Sequence, residues 1–161
     1  KIELQEHIRP THEIDLVELI DYVIKTYEKI LSKNKIKLIF NKIDNCKIIG
    51  DRDKLIEIFT NLIDNSIKYS DKNKEIIITA KKDGDLIIIS VADQGIGIPK
   101  ESIHRITERF FTVDPSKSRS VGGTGLGLAI VKHLVSQHRA EMNINSIENQ
   151  GTTIDIKFNS L

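Results

Sequence analysis

The apolar residues of this chain recur at two spacings, and each spacing predicts one kind of secondary structure. Where they fall three and four residues apart, one face of a helix is apolar and the opposite face is polar. That spacing predicts helices over residues 16–31, 51–70, 101–109 and 124–138, and residues 1–10 are predicted as the end of an earlier helix that Pro10 stops.

Runs rich in Ile and Val predict strands instead. They lie at residues 36–43, 46–50, 75–93 as a hairpin, 141–147 and 152–158. Asp83 and Gly84 form a favoured tight-turn pair in that hairpin. The order α-β-β-α-β-β-α-β-β predicts an α/β two-layer sandwich, with a mixed, mostly antiparallel sheet covered on one face by about three helices. A doubly wound fold is disfavoured because few strands alternate singly with helices.

The composition fits one soluble globular domain of 161 residues. Lys and Arg number 24 against 23 Asp and Glu, so a net charge of +1 offers no broad surface for nucleic acid or an anionic membrane. Cys46 is the single cysteine, which excludes a disulfide framework. The longest apolar run, residues 86–92, is far short of the roughly 18 residues of a membrane span. Lys1 and the polar residues after it suggest a piece of a longer protein without a signal peptide.

Four polar residues mark one side of the helix predicted over 51–70. Asn61 and Asn65 are four residues apart, so their carboxamides share one stripe, with Lys68 and Tyr69 a turn further on. Asn is unfavourable inside a helix because its side chain competes for backbone hydrogen bonds. These four residues could form a binding face or simply a solvated helix face. Considered without the other motifs of the chain, the helix favours the solvated face.

Three Gly-rich stretches share the chain: "DQGIGIP" at 93–99, "GGTGLGLA" at 122–129 and "QGTT" at 150–153. The second opens a helix, where free backbone N–H groups favour a phosphate. A dinucleotide-binding motif requires a strand directly before its glycines, whereas a polar segment precedes them here, so this motif is excluded. The sequence also contains no Walker motif.

The first Gly-rich stretch carries an acidic residue at the end of a strand. The Asp93 carboxylate can accept a hydrogen bond from an exocyclic amine such as that of adenine. Gly95 and Gly97 would then let a flat ring approach the backbone. The alternative is an Asx turn that closes the strand.

In their order along the chain, these stretches resemble the N, G1, F, G2 and G3 boxes of sensor histidine kinase catalytic domains. Those domains belong to the wider group of ATPases that includes DNA gyrase and Hsp90. The boxes are "NLIDNSIKYS", "DQGIGIP", "RFF", "GGTGLGLA" and "GTT", and the resemblance covers roughly residues 14–158. Residues 104–133 also resemble the phosphate-regulon sensor kinase subgroup. The resemblance implies a Bergerat ATP-binding fold with a flexible lid, and ATP and Mg²⁺ as cofactors.

The resemblance assigns roles to the polar helix residues. Asn65 would supply its side-chain oxygen to Mg²⁺, Lys68 would hold a phosphate oxygen, and Tyr69 would line the nucleotide pocket. Asn61 stands where gyrase-like ATPases usually carry a Glu that activates water. An amide cannot take that proton at neutral pH, so we expect γ-phosphoryl transfer to a protein acceptor rather than ATP hydrolysis.

The other boxes supply the remaining implied nucleotide-binding residues. Asp93 corresponds to the adenine-selecting carboxylate, and Thr153 to a residue that supports it through water. The residues implied by the G1, F and G2 boxes are Gly95, Gly97, Ile98, Phe110, Phe111, Gly123, Thr124, Gly125, Leu126, Gly127 and Leu128. The two phenylalanines would anchor a lid over 110–121 in its closed state, with ordinary core packing as the alternative.

One departure from the family pattern concerns the γ-phosphate. Many relatives carry an Arg directly after the F-box aromatics, where this chain has Thr112. Arg109, which we group with Asn61 and Lys68 as a catalytic residue, or Arg119 would have to replace that Arg.

None of the five histidines lies in the H-box that carries the phosphoacceptor in these kinases. His133 and His138 are expected to be surface residues rather than metal ligands. We expect residues 1–13 to be the tail of a preceding dimerisation helix with its linker, and 14–161 the catalytic domain. The expected partners are the phosphoacceptor hairpin of the same kinase and a response regulator. The fragment is expected to be a monomer from the cytoplasmic part of a homodimeric inner-membrane sensor.

Two alternatives to the kinase remain open. One is a gyrase- or chaperone-like ATPase, which Asn61 argues against. The other is a nucleotide-binding module with little catalysis, for which Thr112 is the only support in the sequence.

Overall fold

A computed structural model describes residues 12–70, 73–109, 111 and 127–161. In chain order the elements are β1 (His12–Asp15), α1 (Leu16–Thr26), α2 (Glu28–Lys33), β2 (Lys37–Asn41), β3 (Lys47–Gly50), α3 (Arg52–Lys68), β4 (Glu75–Asp83), β5 (Leu86–Asp93), a 3₁₀ helix (Lys100–Arg105), α4 (Gly127–Gln137), β6 (Glu141–Ile147) and β7 (Gly151–Asn159). The predicted helix over residues 1–10 lies outside the described residues.

The main sheet has five strands in the order β2-β4-β5-β7-β6. The β4–β5, β5–β7 and β6–β7 pairs are antiparallel, whereas β2 and β4 are parallel. A parallel pair needs a long crossover, which β3 and α3 provide between β2 and β4. The mixed, mostly antiparallel sheet predicted from the order of elements is therefore confirmed.

Helices α1, α3 and α4 bury their apolar residues against one face of this sheet. Every second residue of β4, β5 and β7 points into the same core, as in the buried series Ile87, Ile89 and Val91. Phe59 of α3 meets Phe158 of β7 with ring centroids 6.3 Å apart. This is the predicted two-layer sandwich.

The helix predicted over 16–31 is interrupted at Tyr27. The Thr26 hydroxyl donates to the carbonyl of Val23 at 2.7 Å, a local bond of the kind that competes with helix continuation. The backbone N–H of Tyr27 bonds the carbonyl of Ile24, which tightens the last turn of α1. Periodicity alone did not reveal this break because the apolar spacing continues through it.

Strand β1 was not predicted. It pairs antiparallel with β3, with His12 opposite Gly50 and Asp15 opposite Lys47, in a two-stranded sheet apart from the main one. The boundary predicted between residues 13 and 14 therefore falls inside a strand. Asp15 also caps α1, since its carboxylate accepts from the backbone N–H of Val17 at 3.0 Å.

Two smaller predictions differ by a few residues. In the β4–β5 hairpin, Asp83 pairs with Leu86, so the loop is Gly84-Asp85 rather than Asp83-Gly84. Gly84 has φ +59°, the conformation that the first position of a primed hairpin turn requires. The helix predicted over 101–109 is the shorter 3₁₀ helix. Among the described residues, no helix combines the length and apolarity needed to cross a bilayer.

Candidate functional site

The two carboxamides of α3 face the beginning of α4. A Cβ built on Gly127 would lie 3.3 Å from Asn65 Nδ2 and 3.5 Å from Asn61 Oδ1. Asn61 Nδ2 donates to the carbonyl of Glu57 at 2.9 Å, which leaves its Oδ1 on the α4 side. The predicted placement of both amides on one stripe is confirmed, and that stripe meets the second Gly-rich stretch.

Lys68 lies a turn further along α3 and is held by an acidic neighbour. Its ammonium pairs with Asp64 at 2.8 Å, and both side chains are about one-third exposed. The hydroxyl of Tyr27, which lies between α1 and α2, donates to the same carboxylate at 3.5 Å. Burial, and then the charge and hydrogen bond of Asp64, raise the pKa of Tyr27 to about 12. Neither Asp64 nor Tyr27 was predicted at the site, although an acidic residue four positions before a Lys is a visible pairing pattern.

Asp93 is held in place at the end of β5. Its Oδ1 accepts from the backbone N–H of Gly95 at 2.9 Å and of Thr152 at 3.2 Å. The hydroxyl of Ser66, a buried residue of α3, donates to the same carboxylate. Burial raises the pKa of Asp93, and these three hydrogen bonds oppose that rise.

The Asx-turn alternative for Asp93 therefore holds for one oxygen, because Oδ1 closes the turn onto Gly95. Neither backbone amide uses Oδ2. The turn thus orients the carboxylate and leaves acceptor capacity, so the turn and a ligand role are compatible. Ser66 was not predicted; its position as a polar residue on the apolar side of α3 was the available signal.

Thr153, assigned from the resemblance to support Asp93, faces away from it. Asp93 is registered with Thr152, and Ala92 with Thr153. Because side chains alternate across a sheet, Thr153 lies on the face opposite to Asp93 and the buried Ile154. The residue that contacts Asp93 is Thr152. The prediction erred by one residue because "GTT" offers two threonines.

Gly95 and Gly97 fit the first Gly-rich loop against neighbouring backbone. A Cβ on Gly95 would overlap the carbonyl of Tyr69, and one on Gly97, with φ +70°, would overlap the carbonyl of Ile147. These protein contacts account for both glycines, so the predicted reason, space for a flat ring, is not needed to explain them.

Backbone hydrogen bonds hold the same loop. The carbonyl of Tyr69 accepts from the N–H of Ile96 at 3.2 Å. Tyr69 is the C-cap of α3, and it holds the loop through its backbone. Ile98 is buried, and its N–H donates to the Ser146 hydroxyl at 2.7 Å. The same hydroxyl meets Thr152 Oγ1 at 2.8 Å, which joins the loop to the start of β7.

The F-box region is described only in part. Arg109 is exposed, and the guanidinium of Arg105 lies over the ring of Phe111 at 4.6 Å from its centroid. Arg105 also pairs with Glu108 at 3.2 Å. Leu128 packs against the core at the start of α4. The residues predicted as site or lid that lie outside the described part are Phe110, Thr112, Arg119, Gly123, Thr124, Gly125 and Leu126.

The polar side chains near the start of α4 suit a magnesium ion that is coordinated mainly by a bound phosphate ligand and by water. Over the described ranges, no group of three or more His, Cys, Asp and Glu could hold a metal. Mg²⁺ keeps several waters and commonly binds through one or two protein oxygens plus phosphates. The Asn65 amide of α3, which faces the start of α4, fits that mode, whereas it would not suffice for a resident metal without a phosphate ligand.

His138 is half-buried, so its prediction as a surface residue was wrong. Its Nε2 accepts from the backbone N–H of Asp51 at 3.1 Å, and its Nδ1 bonds the carbonyl of Leu134 at 2.8 Å. Burial lowers the pKa of this imidazole. His133 is exposed, as predicted.

The part of the chain that contains the α3 amides, Asp93 and the Gly-rich loops matches a known protein family. The family profile described as histidine kinase-, DNA gyrase B-, and HSP90-like ATPase matches residues 50–160. The chain belongs to this family.

Relatives and solved structures narrow the class. The chain is 33% identical to the sensor-like histidine kinase SenX3 of Mycolicibacterium smegmatis over 90% of its length and 38% of that protein's. It is 42% identical to the phosphate regulon sensor protein PhoR of Pseudomonas aeruginosa over 68% of its length and 25% of that protein's. The chain therefore spans well under half of these relatives.

The fold agrees with the same class. The catalytic domain of histidine kinase ThkA superposes with a TM-score of 0.81 at 27% identity, covering 92% of this chain and 95% of that one. ThkA in complex with the response regulator protein TrrA gives 0.78 at 25% identity, covering 93% and 42%. In sequence and fold this chain is thus similar to the catalytic domains of sensor histidine kinases, and this similarity does not favour the ATPase alternative outside that class.

Proposed function

We propose that this domain binds ATP with Mg²⁺ between α3 and the start of α4 and donates the γ-phosphoryl group to a histidine on a separate dimerisation domain. The observation that carries the proposal is that both α3 amides face Gly127, so closely that a Cβ built there would lie within 3.3–3.5 Å of them. Free N–H groups at a helix start attract phosphate. Amides placed against that start can share a phosphate and its metal.

Asp93 is the proposed adenine acceptor. Three hydrogen bonds fix its orientation before any ligand arrives, so little reorganisation is needed on binding. The resulting acceptor suits an amino group and repels a carbonyl oxygen. This polarity favours adenine over guanine at the position of the exocyclic group.

The polar residues of α3 are proposed to serve the triphosphate. Mg²⁺, when bound, would neutralise charge on the phosphate oxygens. Asn65 would offer it one neutral oxygen, and Asn61 Oδ1 would orient a nucleophile or a water. Lys68 would exchange its Asp64 partner for a phosphate oxygen, since both side chains are accessible. Arg109, exposed beside the F-box, is the proposed cation for the γ-phosphate.

The proposed acceptor and the next partner lie outside this chain. A phosphoacceptor hairpin of the same kinase would receive the phosphoryl group, and a response regulator would take it from there. The ThkA complex with TrrA supports a regulator as partner for a protein of this fold. We propose that the fragment is monomeric and works within a cytoplasmic, dimeric part of a membrane sensor.

Calorimetric titration with a non-hydrolysable ATP analogue, with and without Mg²⁺, tests the binding step. We expect saturable binding that Mg²⁺ strengthens and that Asn65→Ala weakens. Asn143→Ala is the matched control, because Asn143 is exposed on β6 opposite Asp155, on the other face of the sheet. Absence of binding by the wild-type chain, or equal loss in both variants, would refute the site.

A second assay separates transfer from hydrolysis. The domain is incubated with radiolabelled ATP and a supplied sensor-kinase hairpin that carries an H-box histidine. Label on the hairpin supports kinase activity. ATP consumption without label on the hairpin would indicate an ATPase, and tight binding with neither outcome would indicate a non-catalytic module.

A further inference from the structure

His138 joins the two helices that frame the proposed nucleotide site. It follows α4 directly, and its ring reaches Asp51, the N-cap of α3. The ring nitrogens are both used, since Nδ1 bonds the carbonyl of Leu134 at 2.8 Å and Nε2 bonds the N–H of Asp51 at 3.1 Å. A carbonyl accepts and an N–H donates, so only the neutral ring with its proton on Nδ1 satisfies both partners.

The start of α3 is closely packed beside the ring. A Cβ on Gly50 would overlap Leu55 Cδ1 at 2.6 Å, whereas it would lie at an ordinary contact distance of 3.4 Å from ring atoms Cδ2 and Nε2 of His138. The glycine before the N-cap therefore leaves room for Leu55 and lies directly beside the imidazole. Asp51 is itself committed to α3, because its carboxylate accepts from Lys54 N–H at 3.2 Å and its carbonyl from Leu55 N–H at 2.9 Å. A bond to Asp51 is thus a bond to the first turn of α3.

The far end of the same helix pair is the proposed site. Asn65 lies fourteen positions after Asp51, roughly 20 Å along a rigid helix. Sliding α3 past α4 at one end therefore moves the amides relative to Gly127 at the other. Because the helices also contact each other between these points, the pair moves as packed bodies rather than as independent segments.

We propose that His138 is a positioning residue that sets the register of α3 against α4 and thereby the spacing between the Asn61 and Asn65 amides and the start of α4. The inference rests on the proposed function for its consequence in nucleotide binding. Its structural part, the link between ring and amide positions, does not depend on any ligand.

Protonation of the ring would break the link. A proton on Nε2 would face the N–H of Asp51, donor against donor. The charged groups facing the ring are both from the start of α3: the Asp51 carboxylate, which favours the charged ring, and the Lys54 ammonium, which opposes it. From β3, the uncharged Gly50 lies beside the ring. Burial outweighs the attraction of Asp51 and lowers the pKa of His138, so the ring is neutral at pH 7.

Nuclear magnetic resonance of the nucleotide-free chain tests the link directly. We expect ring nitrogen shifts of the Nδ1–H form, and Asn61 and Asn65 side-chain amide signals that move with the same pH midpoint as the His138 ring. This measurement on the wild-type chain does not require a variant to fold. A ring that titrates while both amide signals stay fixed would overturn the proposal.

Variants then separate the link from packing. His138→Phe keeps a ring without nitrogen partners, and we expect displaced amide signals and about a fivefold or greater loss of ATP-analogue affinity, the scale of a coupling between sites. His138→Gln retains an acceptor for the Asp51 N–H and should recover most of that affinity. His133→Gln, at an exposed position of α4, is the control and should match wild type.

The outcomes distinguish the two proposals. If no variant and no wild-type chain binds nucleotide, the proposed function fails while the amide shifts still report on the link. If His138→Gln is as impaired as His138→Phe, or if His138→Phe binds like wild type, the link is wrong while the nucleotide site stands.

Discussion

Replacing Asp93 with Asn tests the proposed adenine contact with the smallest possible change. In the wild-type chain Oδ1 accepts from the N–H groups of Gly95 and Thr152, and an Asn can keep its own Oδ1 in that place. The substitution then changes only the other carboxylate oxygen, Oδ2, which is replaced by an NH₂ group. A ligand amine would face a donor instead of a charged acceptor.

The expected loss follows from that one contact. A hydrogen bond to a charged group contributes about 1.5–3 kcal/mol. The dissociation constant for an ATP analogue should therefore rise about 10- to 150-fold. Triphosphate contacts elsewhere are untouched, so dependence on Mg²⁺ should remain. Discrimination between ATP and GTP should fall, because the lost acceptor is the group that selects an amine.

Stability should respond in the opposite sense. Burial raises the pKa of Asp93 from 3.8, so the folded chain holds this proton more tightly than the unfolded chain. The protonated Asp93 carboxyl therefore stabilises the folded chain fully below pH 3.8, and this stabilisation is lost as the pH rises through the pKa of Asp93 in the folded chain. At neutral pH the ionised wild type carries that cost and Asn does not. We expect Asp93→Asn to be at least as stable as wild type near pH 7 in thermal or urea unfolding.

The assay is calorimetric titration of wild type, Asp93→Asn and the control Asp155→Asn with ATP and GTP analogues. Asp155 lies on β7 opposite Ser90, on the other face of the same sheet, so its replacement removes the same charge away from the site. Unchanged discrimination in a folded Asp93→Asn protein would refute the adenine assignment. An equal loss in both variants would show a general charge effect.

Four further predictions concern other parts of the fold. Gly95→Ala should lower the free energy of unfolding by about 1–3 kcal/mol, because its methyl group would overlap a backbone carbonyl; chemical denaturation measures this, and no loss would contradict the packing argument. Asn65→Asp places a charge where Mg²⁺ is proposed to bind and should shift the Mg²⁺ concentration for half-maximal nucleotide binding; identical Mg²⁺ titrations would remove Asn65 from the metal site. The pKa of His138 is lowered from 6.5 in the folded chain, so stability should be full above pH 6.5 and fall as the pH drops below it; His138→Gln should flatten that part of the unfolding profile. Tyr27 should ionise with a pKa of about 12 in an ultraviolet titration, and Tyr27→Phe should remove that step; a midpoint near 10 would contradict its contact with α3.

The sequence predicted the main elements because their apolar residues face one continuous core. The period of α3 and the alternation in β4, β5 and β7 follow directly from burial against each other. Strand β1 escaped prediction because only four residues pair with β3 and none of them is fully buried. The break at Tyr27 escaped because it depends on hydrogen bonds rather than on apolar spacing.

The site was predictable where residue type and spacing coincide. Asn61, Asn65 and Asp93 were named from the sequence, and the structure places each beside another element of the proposed site. Thr152 required the register of β5 against β7, which a sequence does not display. His138 required knowledge that the end of α4 returns to the start of α3.

The tight backbone contacts of the first Gly-rich loop separate two kinds of motif residue. Because Gly95 and Gly97 are required by neighbouring carbonyls of the protein itself, a homologue that had lost every ligand would still need both. The presence of these two glycines in a sequence therefore indicates the fold of this loop and not the binding of a nucleotide. Loss of nucleotide use during divergence would be recorded first at the amides of α3 and at the strand-end acid, and those are the positions by which active and inactive members of such a lineage should be sorted.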